Sequence, residues 1–449
     1  MILLSSSTTL AFVIVGSVSP MTTIDNNHNN NHNNHNVHFS TKESQQQAEI
    51  PSVIDSKYYT PPEPSIIPYG NATRVTLSRF LTNLVKAYPE FQDLQNILLA
   101  LELSCKTISN LVNRAGLVYS IQNDDNDDDD DANDGDYSDG RYYSMKRLDT
   151  LSTTVLKNAL RFTGTVQMIA PDAQIDSEQP KDHQPGVLIA YDENFVACLD
   201  PLDGSGNADA SICTGTVFGV FARNQEGKIH STTGDHATAA DASINGHVDK
   251  SKDDEDDLLK AVLQPARNMR AAGYCLYSSA TVLVFTLANG VYGFTLDPQI
   301  QEFVLTHDNL TIPRRGNVYS CNEANSEGWN EPWKQYLRNL KLGRGETQTR
   351  YAHRYVGSMV GDIHRTLLYG GIFAYPSDSI EKPRGNLQLL YKVAPMAFVV
   401  HHAGGIAIDE DGNNLLDMKP ERIHQKSPCF MGSPQDVLEL EKYLKKLET

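Results

Sequence analysis

The stretch that most constrains this chain is residues 195–207, FVACLDPLDGSGN. Its first five residues form an apolar run of the length and composition of a buried strand. The run ends on two aspartates, Asp200 and Asp203, followed at once by Gly204, Ser205 and Gly206. Carboxylates at a strand end suit hard, oxygen-seeking cations such as Mg²⁺ or Mn²⁺. Small residues beside them let backbone N–H groups approach an anion. Cation on one side and N–H donors on the other is a way to grip a phosphate monoester. An isolated Asp-Gly pair, by contrast, is more often a plain turn between strands.

At 449 residues the chain is long enough for one large domain or two smaller ones with a substantial core. Its formal charge of −18 is concentrated. Residues 121–140 carry ten aspartates and no Lys or Arg, and residues 249–257 carry six acids against two lysines. Both read as surface loops. No basic stripe offsets them, which argues against a nucleic-acid partner. No segment is long enough to cross a bilayer, so no membrane partner is expected. Six scattered cysteines lack metal-site spacing and read as buried free thiols.

In chain order, residues 1–72 read as a leader and low-complexity linker. The leader has an apolar run but no preceding Lys or Arg, and an Asn/His tract follows. Helical spacing begins at residue 74, and a second helix is expected over 91–115. A third is expected over 150–160, with Asp149 near its start. Strands are expected at 165–170, 195–199 and 214–222, then a long polar insertion over 223–257. The second half reads as a helix at 258–270, strands within 271–305 and near 318–320, and helices at 333–340 and 359–368. A strand ending at Tyr375, a helix over 395–402 and a C-terminal helix over 434–447 complete it. Alternating helices and strands predict a layered α/β fold. The organisation expected is a leader (1–72), an N-terminal half with the acidic motif (73–270) and a C-terminal half (271–449).

Beyond the acidic turn, four further stretches stand out: AAGYCLYSSATVLVFTL (271–287), RYVGSMVGDIHRTLLYGGIFAYP (354–376), LLYKVAPMAFVVHHAGG (389–405) and IHQKSPCFMGSPQDV (423–437). Together with DPLDGSGNAD (200–209) they resemble the fructose-1,6-bisphosphatases. Residues 295–313 look closer to the chloroplast type than to the cytosolic one. The resemblance implies a five-layer α-β-α-β-α sandwich, a homotetramer, and Mg²⁺- or Mn²⁺-dependent release of the 1-phosphate in gluconeogenesis or the Calvin cycle. By resemblance, Asp172, Asp200, Asp203 and the Leu202 carbonyl hold metal. Gly204 and Ser205 hold the 1-phosphate, and Asp149, Asp172 and Asp203 serve catalysis. Asn322, Tyr355 and Tyr375 contact the 6-phosphate, and Arg354 reaches it in a neighbouring subunit. The plain alternatives are core tyrosines for Tyr355 and Tyr375 and a surface ion pair for Arg354.

Several positions depart from the family pattern. Ala173 replaces an acid. Asn386 replaces a substrate lysine, Gln388 an arginine and Asn325 a phosphate-contacting tyrosine. Most telling is Lys392, which replaces the metal-ligand glutamate of the L-L-Y-E motif. An ammonium has no lone pair and repels a cation, so one metal position loses a ligand and gains a like charge. The expectation is a fructose-1,6-bisphosphate 1-phosphohydrolase with weakened activity. The alternatives are an inactive paralogue that joins active chains in a mixed oligomer, and a sedoheptulose-1,7-bisphosphatase. Plastid or cytoplasm is the expected compartment.

Overall fold

The computed structural model describes residues 74–115, 139–164, 166–169, 187–188, 195–222 and 263–445. The expected leader, the 223–257 insertion, Asp172 and Ala173 lie outside the described residues. Helices α1 (Leu77–Ala87), α2 (Gln92–Asn113) and α3 (Asp139–Arg161) precede strands β1 (Val166–Ile169), β2 (Val187–Leu188), β3 (Phe195–Asp203) and β4 (Thr214–Ala222). Strands β5 (Met269–Tyr277), β6 (Thr281–Thr286), β7 (Val291–Asp297) and β8 (Glu302–His307) follow. These eight strands form one sheet in the order β2-β1-β3-β4-β5-β6-β7-β8. The pair β1–β3 is parallel and the other pairs are antiparallel.

The second sheet holds β9 (Val318–Ser320), β10 (Ala352–His353), β11 (Ile372–Tyr375), β13 (Ile406–Ile408) and β15 (Cys429–Gly432), ordered β10-β9-β11-β15-β13. A small pair, β12 (Leu387–Gln388) and β14 (Lys426–Ser427), lies apart. The remaining helices are α4 (Glu331–Leu342), α5 (Met359–Tyr369), α6 (Ala394–His402) and α7 (Pro434–Leu444). A single π turn, Leu389–Val393, leads into α6.

Side-chain alternation along the strands produces the layers. On β3, Ala197 and Leu199 pack with α1, α2 and α3, whereas Val196 and Cys198 pack with α5 and α6. On β11, Phe373 faces that same α5–α6 layer, whereas Ile372 and Ala374 face α4 and α7. The result is α-β-α-β-α, the expected five-layer sandwich.

Two expectations are corrected. Residues 266–270 are a short 3₁₀ turn and the start of β5, not the end of a helix. Strand β5 is buried on both faces, so it shows no two-residue alternation to separate it from helix. The division at 270/271 falls inside β5 and so cuts the large sheet. The change of sheet comes after His307, because β5–β8 continue the first sheet without a break.

Candidate active site

Residues three apart on a regular strand point to opposite faces. Asp200 and Asp203 escape that rule through a bulge. Asp200 pairs with Val217 and Asp203 with Gly215, so three steps on β3 match two on β4. The extra residue returns both carboxylates to one side. The Thr216 hydroxyl donates to the Pro201 carbonyl at 2.8 Å and ties the bulge down. Both aspartates are buried.

Gly204 then turns the chain with φ +72°, a conformation only glycine adopts cheaply. A Cβ there would stand 2.9 Å from Ser358 Cβ. Ser358 caps α5, and its Oγ donates to Asp203 Oδ2 at 3.1 Å. The Val360 N–H donates to the same oxygen at 3.2 Å. Asp203 thus sits on the positive N-terminal end of α5. Asn207 secures the far side of the turn through a hydrogen bond from Nδ2 to the Val356 carbonyl.

Lys392, on the π turn, reaches into this group. Its Nζ lies 2.8 Å from Asp203 Oδ1, as a hydrogen bond, and 2.8 Å from Asp200 Oδ2. Burial pulls the ammonium down, but the two carboxylates outweigh that and hold it above the ordinary lysine range. Asp149 comes from the middle of α3, not from near a helix start, because α3 begins at Asp139. It is hydrogen-bonded to Ser205, and burial pushes its carboxyl up to about 7. The Asp200 charge adds to that rise, while the Ser205 bond and Lys392 oppose it. Asp149, Asp200, Asp203, Ser205 and Lys392 therefore form one cluster.

A second cluster gathers at the C-terminal sheet. Burial, then the neighbouring Tyr375, pushes the Tyr355 hydroxyl up to about 12. Tyr375 accepts a 3.4 Å contact from Asn386 Nδ2, and Lys426 Nζ donates to Asn386 Oδ1 at 3.1 Å. Gln388 pairs with Lys426 between β12 and β14. Asn322 caps the turn Glu323–Gly328 by accepting the Ala324 N–H, and the Asn325 N–H donates to the Asn322 carbonyl. Arg354 is exposed, and its guanidinium donates to the His353 carbonyl.

Two positioning residues went unread in the sequence. Ser358 carries a legible signal, a serine just before an apolar helical run. Lys426 carries none, since only β12–β14 pairing places it beside Asn386. Cys321, Glu323 and His353 also converge. There Glu323 is already engaged by Tyr319 and Lys341, and His353 Nε2 by the Cys321 carbonyl.

Residues 75–308 match the family model for the fructose-1-6-bisphosphatase N-terminal domain, and residues 312–445 match the C-terminal domain. The chain belongs to the fructose-1,6-bisphosphatase family. A chloroplastic fructose-1,6-bisphosphatase of Spinacia oleracea is 40% identical over 360 residues, covering 78% of this chain and 77% of the relative. A cytosolic one of Oryza sativa subsp. indica is 36% identical, covering 82% and 94%. The holo crystal structure of Leishmania major fructose-1,6-bisphosphatase matches with TM-score 0.65 and 33% identity, covering 83% of this chain and 99% of that one.

Fructose-1,6-bisphosphatases are generally metal-dependent. Here the donor types fit a hard cation only in part. Asp149, Asp200 and the Leu202 carbonyl offer suitable oxygens. The gap between Asp200 and Asp203 does not fit, because Lys392 fills it and Ser358 and Val360 engage the other oxygen of Asp203. Among the described residues, no helix is long and apolar enough to cross a membrane.

Proposed function

We propose that this protein releases the 1-phosphate of fructose 1,6-bisphosphate in the presence of Mg²⁺ or Mn²⁺, as a homotetramer. The observation that carries the reading is the convergence of Asp149, Asp200, Asp203 and Ser205 on one glycine-containing turn. The 1-phosphate lies against Gly204 and Ser205. Asp149, hydrogen-bonded to Ser205 beside the turn, is placed to take a proton from the attacking water. Tyr355, Tyr375 and Asn322 receive the 6-phosphate, and exposed Arg354 reaches it from a neighbouring subunit. The family's chloroplastic and cytosolic members support plastid or cytoplasm as compartment.

The Lys392 ion pair favours turnover below that of ordinary relatives. Phosphate release from the purified full chain tests both statements, using fructose 1,6-bisphosphate, sedoheptulose 1,7-bisphosphate and an inositol monophosphate with each ion. The expected result is a preference for fructose 1,6-bisphosphate, at least roughly tenfold slower than the spinach protein, consistent with loss of a charge-stabilising group. No release from any substrate sinks the hydrolase reading and leaves the inactive paralogue. Turnover matching the spinach protein sinks the slowed reading alone.

A further inference from the structure

Lys392 does more than remove a ligand. Both carboxylates close on its ammonium at 2.8 Å, as they would on a metal. We infer that Lys392 is a resident cation: it takes the place of one divalent ion between Asp200 and Asp203 and lowers the number of metal ions the site accepts.

Three observations carry this. First, the backbone at 392 is pinned. Leu389, Leu390, Tyr391 and Val393 of the π turn are all buried, and such turns occur frequently at functional sites. Second, Asp203 has no easy alternative. One oxygen binds Lys392, and the other accepts from Ser358 Oγ and the Val360 N–H. Third, a metal sharing an oxygen with Lys392 would meet a second positive charge nearby. The ammonium is 2.8 Å from that oxygen, and a Mg²⁺ bond is about 2.1 Å, so the two cations could be no more than about 4.9 Å apart and would repel.

The inference takes residues 200–207 as the phosphate site, as the proposed function does, but its test needs no turnover. Mn²⁺ is titrated into the full chain and free ion is read by electron paramagnetic resonance. Wild type is expected to bind no more than one Mn²⁺ per chain. Lys392→Glu, which supplies a ligand in place of the cation, is expected to bind at least one more, at tenfold or greater affinity. Lys392→Met removes the cation without adding a ligand. Its melting temperature is expected to fall in metal-free buffer and to recover at least half the loss on adding Mn²⁺, while wild type shifts far less. Two or more ions per wild-type chain overturn the inference. So does an equal count in wild type and Lys392→Glu, or a Lys392→Met melting temperature indifferent to Mn²⁺. Absence of phosphate release would touch the proposed function and leave these counts unaltered.

Discussion

The two clusters of the site have met substitution in opposite ways. At the acidic turn a cation has come in, and the group has closed on itself: the ammonium of half-buried Lys392 lies 2.8 Å from each of the buried carboxylates of Asp200 and Asp203. At the other cluster the substrate lysine of the family pattern is Asn386, and a cation still stands alongside because Lys426 arrives from β14. That second group is partly exposed and held by single, longer hydrogen bonds. The difference teaches that a cation arriving between buried carboxylates draws them onto itself, whereas a cation lost from a partly exposed group is replaced by a neighbour.

The sharpest way to break the contrast is Asp203→Ala. It leaves half-buried Lys392 with Asp200 alone and takes the acceptor from the Ser358 hydroxyl, and should cost about 3–5 kcal/mol in urea unfolding. Acid should weaken the turn side next. His364 on α5 and His401 on α6 are both held near 4 by burial. Because their folded values are depressed, the stability they confer is complete above about pH 6.5 and is lost as pH falls toward 4. For His364 that is on the order of 3 kcal/mol. Melting temperatures from pH 7 to 4.5 should therefore drop less in His364→Gln than in wild type. Gly204→Ala should cost about 1–3 kcal/mol from its positive φ and the approach to Ser358, and should abolish phosphate release. Smallest is Lys426→Met in the second cluster. Stability should stay within about 0.5 kcal/mol, while KM rises roughly fivefold, the worth of about 1 kcal/mol. A loss of folding in Lys426→Met would erase the distinction between the two clusters.

Much of this is legible in the sequence. The apolar run of β3, the two aspartates and the glycine that follows all mark the turn, and the helical spacing of α1 and α2 marks one outer layer. What escaped has physical causes. The start of α3 lies at the end of the Asp-rich stretch, whose composition reads as loop. The bulge at residues 200–203 leaves no periodic trace. Lys392 read as a lost ligand, since nothing in local sequence shows that it meets an aspartate 189 positions away.

The α5–α6 layer lies between the two sheets and buries side chains against both. Neither sheet can shed that layer without exposing apolar surface on the other. Unfolding should therefore be a single all-or-none event across the two described sheets and the layer between them, and a fragment limited to 312–445 should be insoluble by itself. The matched N- and C-terminal models thus divide a sequence, not two bodies capable of separate existence.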